Sequence, residues 1–254
     1  MLILAKNKVE SAQLADLKTP AGTDTHTPIP HGLLVDYTRK ALDRMGFEIK
    51  EEEHALARGD LRYFGGFALR GEGINGEDRN VVLGLRNSHD KAFAASVCIG
   101  NQMLVCENLC FSSDIKLARR HTTRILEDLP RVLSNAVGRV KSHWSDMNER
   151  ILAYKETDIS RRQASDLLID LVDSKAFSAR DVYKTVKEFE APRHEEFKGE
   201  NLWNLYNACT EHLKGGDLTK LPERTIKIQG TFDRLASHSP ELTVDNETGL
   251  VLAS

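Results

Sequence analysis

The alternation of apolar and polar residues first becomes helical after residue 30. Apolar side chains recur every three or four positions between Leu33 and Met45, as they do along one face of an amphipathic helix. Gly46 follows as a C-terminal cap, because glycine readily adopts the left-handed conformation that ends many helices. The stretch "KTPAGTDTHTPIPHG" before this helix shows no periodicity, so we predict an extended N-terminal arm over residues 1–30.

Strand-like patterns replace the helical one between residues 47 and 109. The runs are "FEIKEEEHALAR", "LRYFGGFALRG", "VVLGLRN", "FAASVCIG" and "QMLVCENL". Connections this short favour an antiparallel meander, because parallel strands need crossovers of a dozen residues or more. The glycine-rich link "GEGINGEDRN" lacks the G-K-[ST] sequence of a phosphate loop and does not lead into a helix, so we interpret it as a turn.

The chain after Asn108 has a helical pattern. Ser112, Ser113 or Asp114 is a suitable N-cap for a helix through "IKLARRHTTRILEDL", and Pro130 marks a kink or a restart. Strands in one region and helices in another indicate an α+β protein, with an N-terminal helix, a β-meander of about five strands and a helical C-terminal half packing on the sheet. The predicted divisions are an arm (1–30), an α+β core with a long helix (31–155), a helical region (156–236) and a tail (237–254).

The dipeptide at Gly100 and Asn101 predicts a hairpin turn, because glycine suits the first central position of a type II′ turn. In that register Cys98 and Cys106 lie on opposite faces of the sheet, so they form neither a disulfide nor a shared metal site. We expect these cysteines to pack in the core as reduced thiols, together with Cys110 and Cys209 in the rest of the chain.

The formal net charge of −3 gives no global reason to expect a nucleic-acid partner. Positive charge is nevertheless concentrated between residues 85 and 124. The cations of this segment are the candidate nucleic-acid-binding residues: Arg86, Lys91, Lys116, Arg119, Arg120 and Arg124. The alternative is a solvated helix face that pairs with the acidic residues Glu127 and Asp128.

The loop "NSHDK" between two predicted strands is the candidate polar site. In one interpretation it is a hairpin corner built from turn-forming side chains. In the other it is a catalytic centre, in which Asp90 orients His89, Glu107 contributes a carboxylate and Arg86 contributes positive charge. The histidines His26 and His31 of the arm, with His89, are the candidate metal ligands; alternatively, prolines and hydrogen bonds pin the arm.

No apolar run is long enough to span a bilayer, and the N-terminus does not match a signal peptide. We therefore expect a cytoplasmic protein without a membrane partner. The sequence does not identify a cofactor.

Several segments resemble the phage/plasmid-like proteins grouped as domain of unknown function 932. The similar segments are "THTPIPHGLLVD", "GLRNSHDKAFAASVCIG", "LVCENLCFS", "RRHTTRI" and "LWNLYNACTEHLKGG" followed by "LPERT", and they span roughly residues 25–236. The resemblance implies an origin on phages, prophages or plasmids and supplies no catalytic residues.

Three functional hypotheses follow from these patterns. The first is a non-catalytic, nucleic-acid-associated accessory protein of a mobile element, similar in element order to phage single-strand annealing proteins. The second is a metal-dependent hydrolase or nuclease with His89 and Asp90 at its site. The third is a module that binds a host or phage protein and acts against host defence.

Overall fold

The computed structural model describes residues 3, 5–24, 26–116, 124–236, 242–245 and 250–253. The strands are β1 (Lys8–Val9), β2 (Glu48–Ala57), β3 (Arg62–Arg70), β4 (Arg79–Ser88), β5 (Ser96–Met103), β6 (Leu109–Lys116), β7 (Leu242–Asp245) and β8 (Leu250–Ala253). The helices are α1 (Ser11–Asp16), α2 (His31–Arg44), α3 (Ile125–Val137), α4 (Val140–Glu156), α5 (Arg161–Asp173), α6 (Val182–Glu190), α7 (Leu202–Glu211) and α8 (Leu221–Leu235).

Six strands form one antiparallel sheet in the order β1-β2-β3-β4-β5-β6, so each strand pairs with its neighbour in sequence. Strands β7 and β8 form a separate antiparallel pair. The predicted α+β class, with a meander followed by a helical half, is confirmed. The meander follows from the short connections, which leave no room for parallel crossovers.

Helices cover both faces of the large sheet, which is why its central strands carry almost no exposed side chains. On one face Phe111 packs against Phe64, and its backbone N–H donates to Thr225 of α8. On the other face Asn87 of β4 contacts His31 at the start of α2. Strands buried on both faces show nearly continuous apolar runs, as the sequence of β3 and β4 does.

The predicted hairpin turn at Gly100 and Asn101 is wrong. Both residues lie inside β5, where they pair with Phe111 and Cys110 of β6, and the chain reverses over residues 104–108. The glycine serves a different purpose: a Cβ at Gly100 would lie 1.9 Å from the carbonyl oxygen of Cys110 at a register shift between the strands. A close backbone approach at a bulge demands glycine as strongly as a turn does.

The corrected register changes the surroundings of the cysteines but not their chemistry. Cys98 pairs with Asp114 in the sheet, and Cys106 lies in the turn rather than on a strand. All four cysteines are buried and none forms a disulfide, as expected for core residues. Burial raises the pKa of the Cys110 thiol to about 12, so the thiol stays protonated.

The predicted helix start at residues 112–114 is also wrong. These residues belong to β6, and the next described helix, α3, begins at Ile125. Residues 117–123 of the predicted helix lie outside the described part of the chain. Helix α3 runs through Pro130, and the restart occurs instead at Gly138, between α3 and α4.

The N-terminal segment predicted as an extended arm contains the strand β1 and the helix α1. Strand β1 adds to the edge of β2, with Lys8 opposite Ala55. A reciprocal capping box between Glu10 and Gln13 begins α1, which buries Leu14. None of the helices within the described residues is long and apolar enough to cross a membrane.

Candidate functional site

The loop between β4 and β5, residues 89–95, is held in place by Asp90. Its carboxylate accepts from Ser88 Oγ at 2.5 Å and from Arg62 Nε at 2.8 Å, and it also accepts from the Ala92 backbone N–H at 3.2 Å. Partial desolvation acts to raise the pKa of Asp90, but the hydrogen bonds from Ser88 and Arg62 outweigh it, and the pKa is lowered. Asp90 therefore stays charged and fixes the loop to β3.

The side chain of His89 bonds to the segment before α2 rather than to this carboxylate. His89 Nε2 donates to the carbonyl oxygen of Ile29 at 2.8 Å, and its ring stacks on that of His31 with 4.0 Å between centroids. The structure therefore does not show Asp90 orienting His89, which is the arrangement that the catalytic hypothesis requires.

Both ring nitrogens of His31 bond to the protein itself. Nε2 donates to the Asp60 carbonyl at 3.1 Å, and Nδ1 therefore accepts from Asn87 Nδ2 at 3.0 Å. Burial and the neighbouring His89 lower the pKa of His31 to about 4, so its ring is neutral at physiological pH.

Asn87 connects this arrangement to the N-terminal segment. Its Nδ2 donates to Ile29 O at 2.7 Å as well as to His31, and its Oδ1 accepts from the Ser88 backbone N–H. We term Ile29, His31, Asp60, Asn87 and His89 the His31 network. Its hydrogen bonds join α2 and the preceding segment to the sheet.

A second buried polar row runs along the same face of the sheet. His54 Nδ1 lies 2.9 Å from the hydroxyl of Tyr63, and His54 Nε2 lies 2.9 Å from Glu52 Oε1. Arg39 of α2 donates two hydrogen bonds to the same carboxylate. A Cβ at Gly65 would clash with the Tyr63 hydroxyl, 2.0 Å away, so glycine there makes room for this row.

The candidate metal ligands are partly brought together. His31 and His89 converge, but their bonds to backbone carbonyls and to Asn87 occupy nitrogens that a metal would need. His26 lies in a backbone bridge with Thr23. Within the described part of the chain, no group of three His, Cys, Asp or Glu side chains is arranged to hold a metal ion.

Glu107 and Asn108 lie at the opposite end of the sheet from His89, in the turn between β5 and β6. The length of β5 separates the two ends by roughly 25 Å. Glu107 is exposed with a positive φ of 55°, and Asn108 is buried against Thr210 of α7. The structure therefore does not place Glu107 beside His89.

The predicted basic residues occupy different environments. Arg86 is buried: its Nε donates to Ser96 Oγ and its Nη1 donates to the Thr219 carbonyl. Lys91 is exposed in the loop, and Arg124 is exposed immediately before α3. Lys116 is the last residue of β6, whereas Arg119 and Arg120 fall outside the described residues.

A cationic groove at the same end of the sheet as His89 is absent from the sequence-based prediction. The groove has a volume of about 540 Å³ and lies between the edge of β1–β3 and the α7–α8 connection. Lys6, Arg58 and Arg62 line it, facing Gly215 and Gly216. Arg62 pairs with Asp90, but Lys6 and Arg58 are exposed and form no ion pair with any described residue.

No local sequence signal could have found this groove. Lys6 comes just before β1, and Arg58 comes just after β2. The backbone that faces them comes more than 150 positions later. The antiparallel pairing of β1 with β2 brings the two cations to one edge.

A family model described as Domain of unknown function (DUF932) matches residues 22–237. Neither the curated proteins nor the solved structures gave a match.

Proposed function

The chain belongs to the DUF932 family, a domain of unknown function, and from this premise we propose that it is a non-catalytic, nucleic-acid-associated accessory protein of a mobile element. The resemblance to phage/plasmid-like proteins supports the mobile-element origin, for which the expected location is the cytoplasm. The cationic groove carries the nucleic-acid part of the proposal.

The groove offers what a phosphate backbone requires. Lys6 and Arg58 form no ion pair with a described carboxylate, and Asp217, which also lines the groove, accepts hydrogen bonds from Thr219. Both cationic side chains are exposed, so binding a phosphate does not require breaking an internal contact. Contact between such cations and phosphates releases counterions, which is the main source of sequence-independent affinity.

Further basic residues come at this end of the sheet. Lys91 lies on the loop after β4, and β6 ends at Lys116, whose backbone pairs with Ser96 at the start of β5. The remaining residues of the basic stretch 116–124 follow β6 in the sequence. A strand of nucleic acid held in the groove would therefore meet further positive charge at this end.

A single strand is the proposed ligand. A positively charged groove suits single-stranded nucleic acid, whose flexible chain follows a protein surface more closely than a duplex does. Buried aromatic residues near the groove, such as Phe64, pack in the core and are not offered for base stacking. Binding should therefore depend on charge and show little sequence preference.

The test measures binding of fluorescent single-stranded DNA and RNA over a series of salt concentrations. The variant Lys6→Ala/Arg58→Ala should bind more weakly, and the slope of log K against log salt should fall by about 1.4, since each single-strand phosphate contact contributes about 0.7. The matched control Arg162→Ala/Lys184→Ala removes one arginine and one lysine from exposed positions on α5 and α6.

The groove variant and the control have the same net charge. A difference in their binding therefore reflects where the charges lie. An unchanged slope in the groove variant would place binding elsewhere, and the variant Arg119→Ala/Arg120→Ala then tests the basic stretch. If the parent protein shows no salt-sensitive binding to either nucleic acid, the proposed function is wrong.

A further inference from the structure

We propose that a recess at the other end of the sheet binds a small phosphate-bearing ligand, either a phosphate monoester or free phosphate. The recess has a volume of about 420 Å³ and lies beside the glycine-rich connection between β3 and β4. Its polar and glycine lining residues are Lys50, Arg70, Asn75, Gly76, Arg79 and Asn80. We term it the turn recess.

The polar side chains of the turn recess are donors. Lys50 and Arg70 are exposed, and neither forms an ion pair with a carboxylate of the described chain. The two amide oxygens are already occupied: Asn75 Oδ1 accepts from the Gly71 backbone N–H, and Asn80 Oδ1 accepts from Lys50 Nζ at 3.4 Å. The amide nitrogens therefore remain as donors, and none of the lining residues carries a carboxylate.

A β-bulge brings Lys50 to this position. The register between β2 and β3 shifts between Ile49 and Glu51, which leaves Lys50 as the extra residue on β2. Bulges redirect a side chain that would otherwise follow the strand alternation. Here the redirected side chain reaches Asn80 on β4, two strands away from its own.

Arg79 is fixed in place before any ligand arrives. Its guanidinium lies 4.7 Å from the centre of the Trp144 ring, and it donates to Asp78 and to Asn148. Asp78 offsets the charge of Arg79, so Arg79 contributes a fixed side-chain position to the recess and no excess positive charge. Its Nε is buried and makes no hydrogen bond in the described chain.

Gly76 lets the turn approach this arginine. A Cβ at Gly76 would lie 2.9 Å from the Arg79 carbonyl oxygen and 3.1 Å from the Trp144 ring. The connection therefore packs against the arginine that lines the recess, although it lacks the sequence of a phosphate loop.

The size and arrangement of the recess favour a small ligand over a polymer. Its volume falls at the lower end of the range for small-molecule sites. Donors from three strands and one turn surround it, which suits the three terminal oxygens of a phosphate monoester. The length of β4 places it roughly 30 Å from the cationic groove, so this proposal stands independently of the proposed function.

The test is isothermal titration of the full chain with inorganic phosphate, adenosine monophosphate and an oligothymidylate without terminal phosphates. The variant Lys50→Met/Arg70→Gln keeps most of each aliphatic stem and removes both excess charges. We expect it to weaken binding of the phosphate ligand by about tenfold or more, because two charge-assisted contacts are lost. The control Arg162→Gln/Lys184→Met makes the same chemical change on α5 and α6 and should bind as the parent does.

The three ligands identify the source of the phosphate. Tighter binding of adenosine monophosphate than of inorganic phosphate supports a monoester, and equal binding supports free phosphate. If neither small ligand binds, if the recess variant binds as tightly as the control, or if only the oligothymidylate loses affinity in that variant, the proposal is overturned.

Discussion

The His31 network and the cationic groove lie at the same end of the sheet but use their polar groups differently. In the network, His31 and Asn87 are buried, and their side-chain nitrogens form hydrogen bonds with other groups of the protein. In the groove, Lys6 and Arg58 are exposed and have no ion-pair partner in the described chain. Polar residues at a sheet end can therefore stabilise the fold or bind a ligand. Those that bond to other groups of the protein serve the fold, and those without such partners are available to a ligand.

The largest expected effect is at Asn87, at the centre of the network. The variant Asn87→Leu leaves His31 Nδ1 and the Ser88 N–H without partners in a buried site. Each such group costs one to a few kcal/mol, so we expect the free energy of unfolding to fall by about 4 kcal/mol in urea denaturation. Lys6→Ala/Arg58→Ala should stay within about 0.5 kcal/mol of the parent. Equal midpoints for Asn87→Leu and the parent would show that the network does not stabilise the fold.

The pH dependence of stability gives the next largest effect. Because the folded-state pKa of His31 is lowered to about 4, the unfolded chain takes up this proton first as the pH falls below about 6.5. The stability contributed by neutral His31 is thus present above about pH 6.5 and is lost progressively towards pH 4, by about 3 kcal/mol in total.

A His31→Asn variant separates this contribution from that of His143, whose pKa burial lowers to about 3. Urea denaturation at several pH values should give a flatter curve for His31→Asn than for the parent between pH 6.5 and pH 4. Parallel curves would mean that His31 does not titrate differently in the folded and unfolded states.

Arg86 tests the boundary between the two regions, because the sequence assigned it to nucleic-acid binding and the structure buries it. Replacing it in Arg86→Met removes hydrogen bonds to Ser96 and to the Thr219 carbonyl, and we expect a loss of about 2 kcal/mol in urea denaturation. Arg58→Met, on the exposed side, should leave stability unchanged and weaken oligonucleotide binding. Weaker binding by Arg86→Met with an unchanged unfolding midpoint would assign Arg86 to the groove instead.

The fold could be predicted where one periodicity dominates. The helical pattern between Leu33 and Met45 corresponds to α2, and the first three strand-like runs correspond to β2, β3 and β4. The prediction failed where one residue has two uses. Gly100 suits a turn, but a close approach to Cys110 across a bulge also needs glycine. This error displaced the last strand and moved the helix start to residues 112–114.

The site could be predicted only in part, for a different physical reason. The metal-ligand hypothesis places His31 near His89, and their rings stack in the structure. Asn87, which joins them to the segment before α2, gave no signal beyond being a turn former. Lys6 and Arg58 become neighbours only through the pairing of β1 with β2, and strand pairing between distant segments is not encoded in local periodicity.

The smallest expected effect is at Asp90, where the network's loop meets the groove. Its carboxylate pairs with Arg62, one of the three groove cations, so Asp90→Asn should release that charge while keeping an acceptor for Ser88 and Ala92. Because the pair is partly exposed, stability should fall by no more than about 1 kcal/mol. Oligonucleotide affinity should rise by about threefold at low salt, and the slope of log K against log salt should steepen by about 0.7.

The matched control for this last change is Asp166→Asn, which removes the same charge from an exposed position on α5. A rise in affinity confined to Asp90→Asn indicates that Arg62 gains a phosphate contact, because both variants have the same net charge. An equal rise in both would show that affinity follows the overall charge of the protein, and the groove would then have no special part in binding. The comparison between network and groove therefore depends on whether the ion pair with Asp90 prevents Arg62 from binding a phosphate.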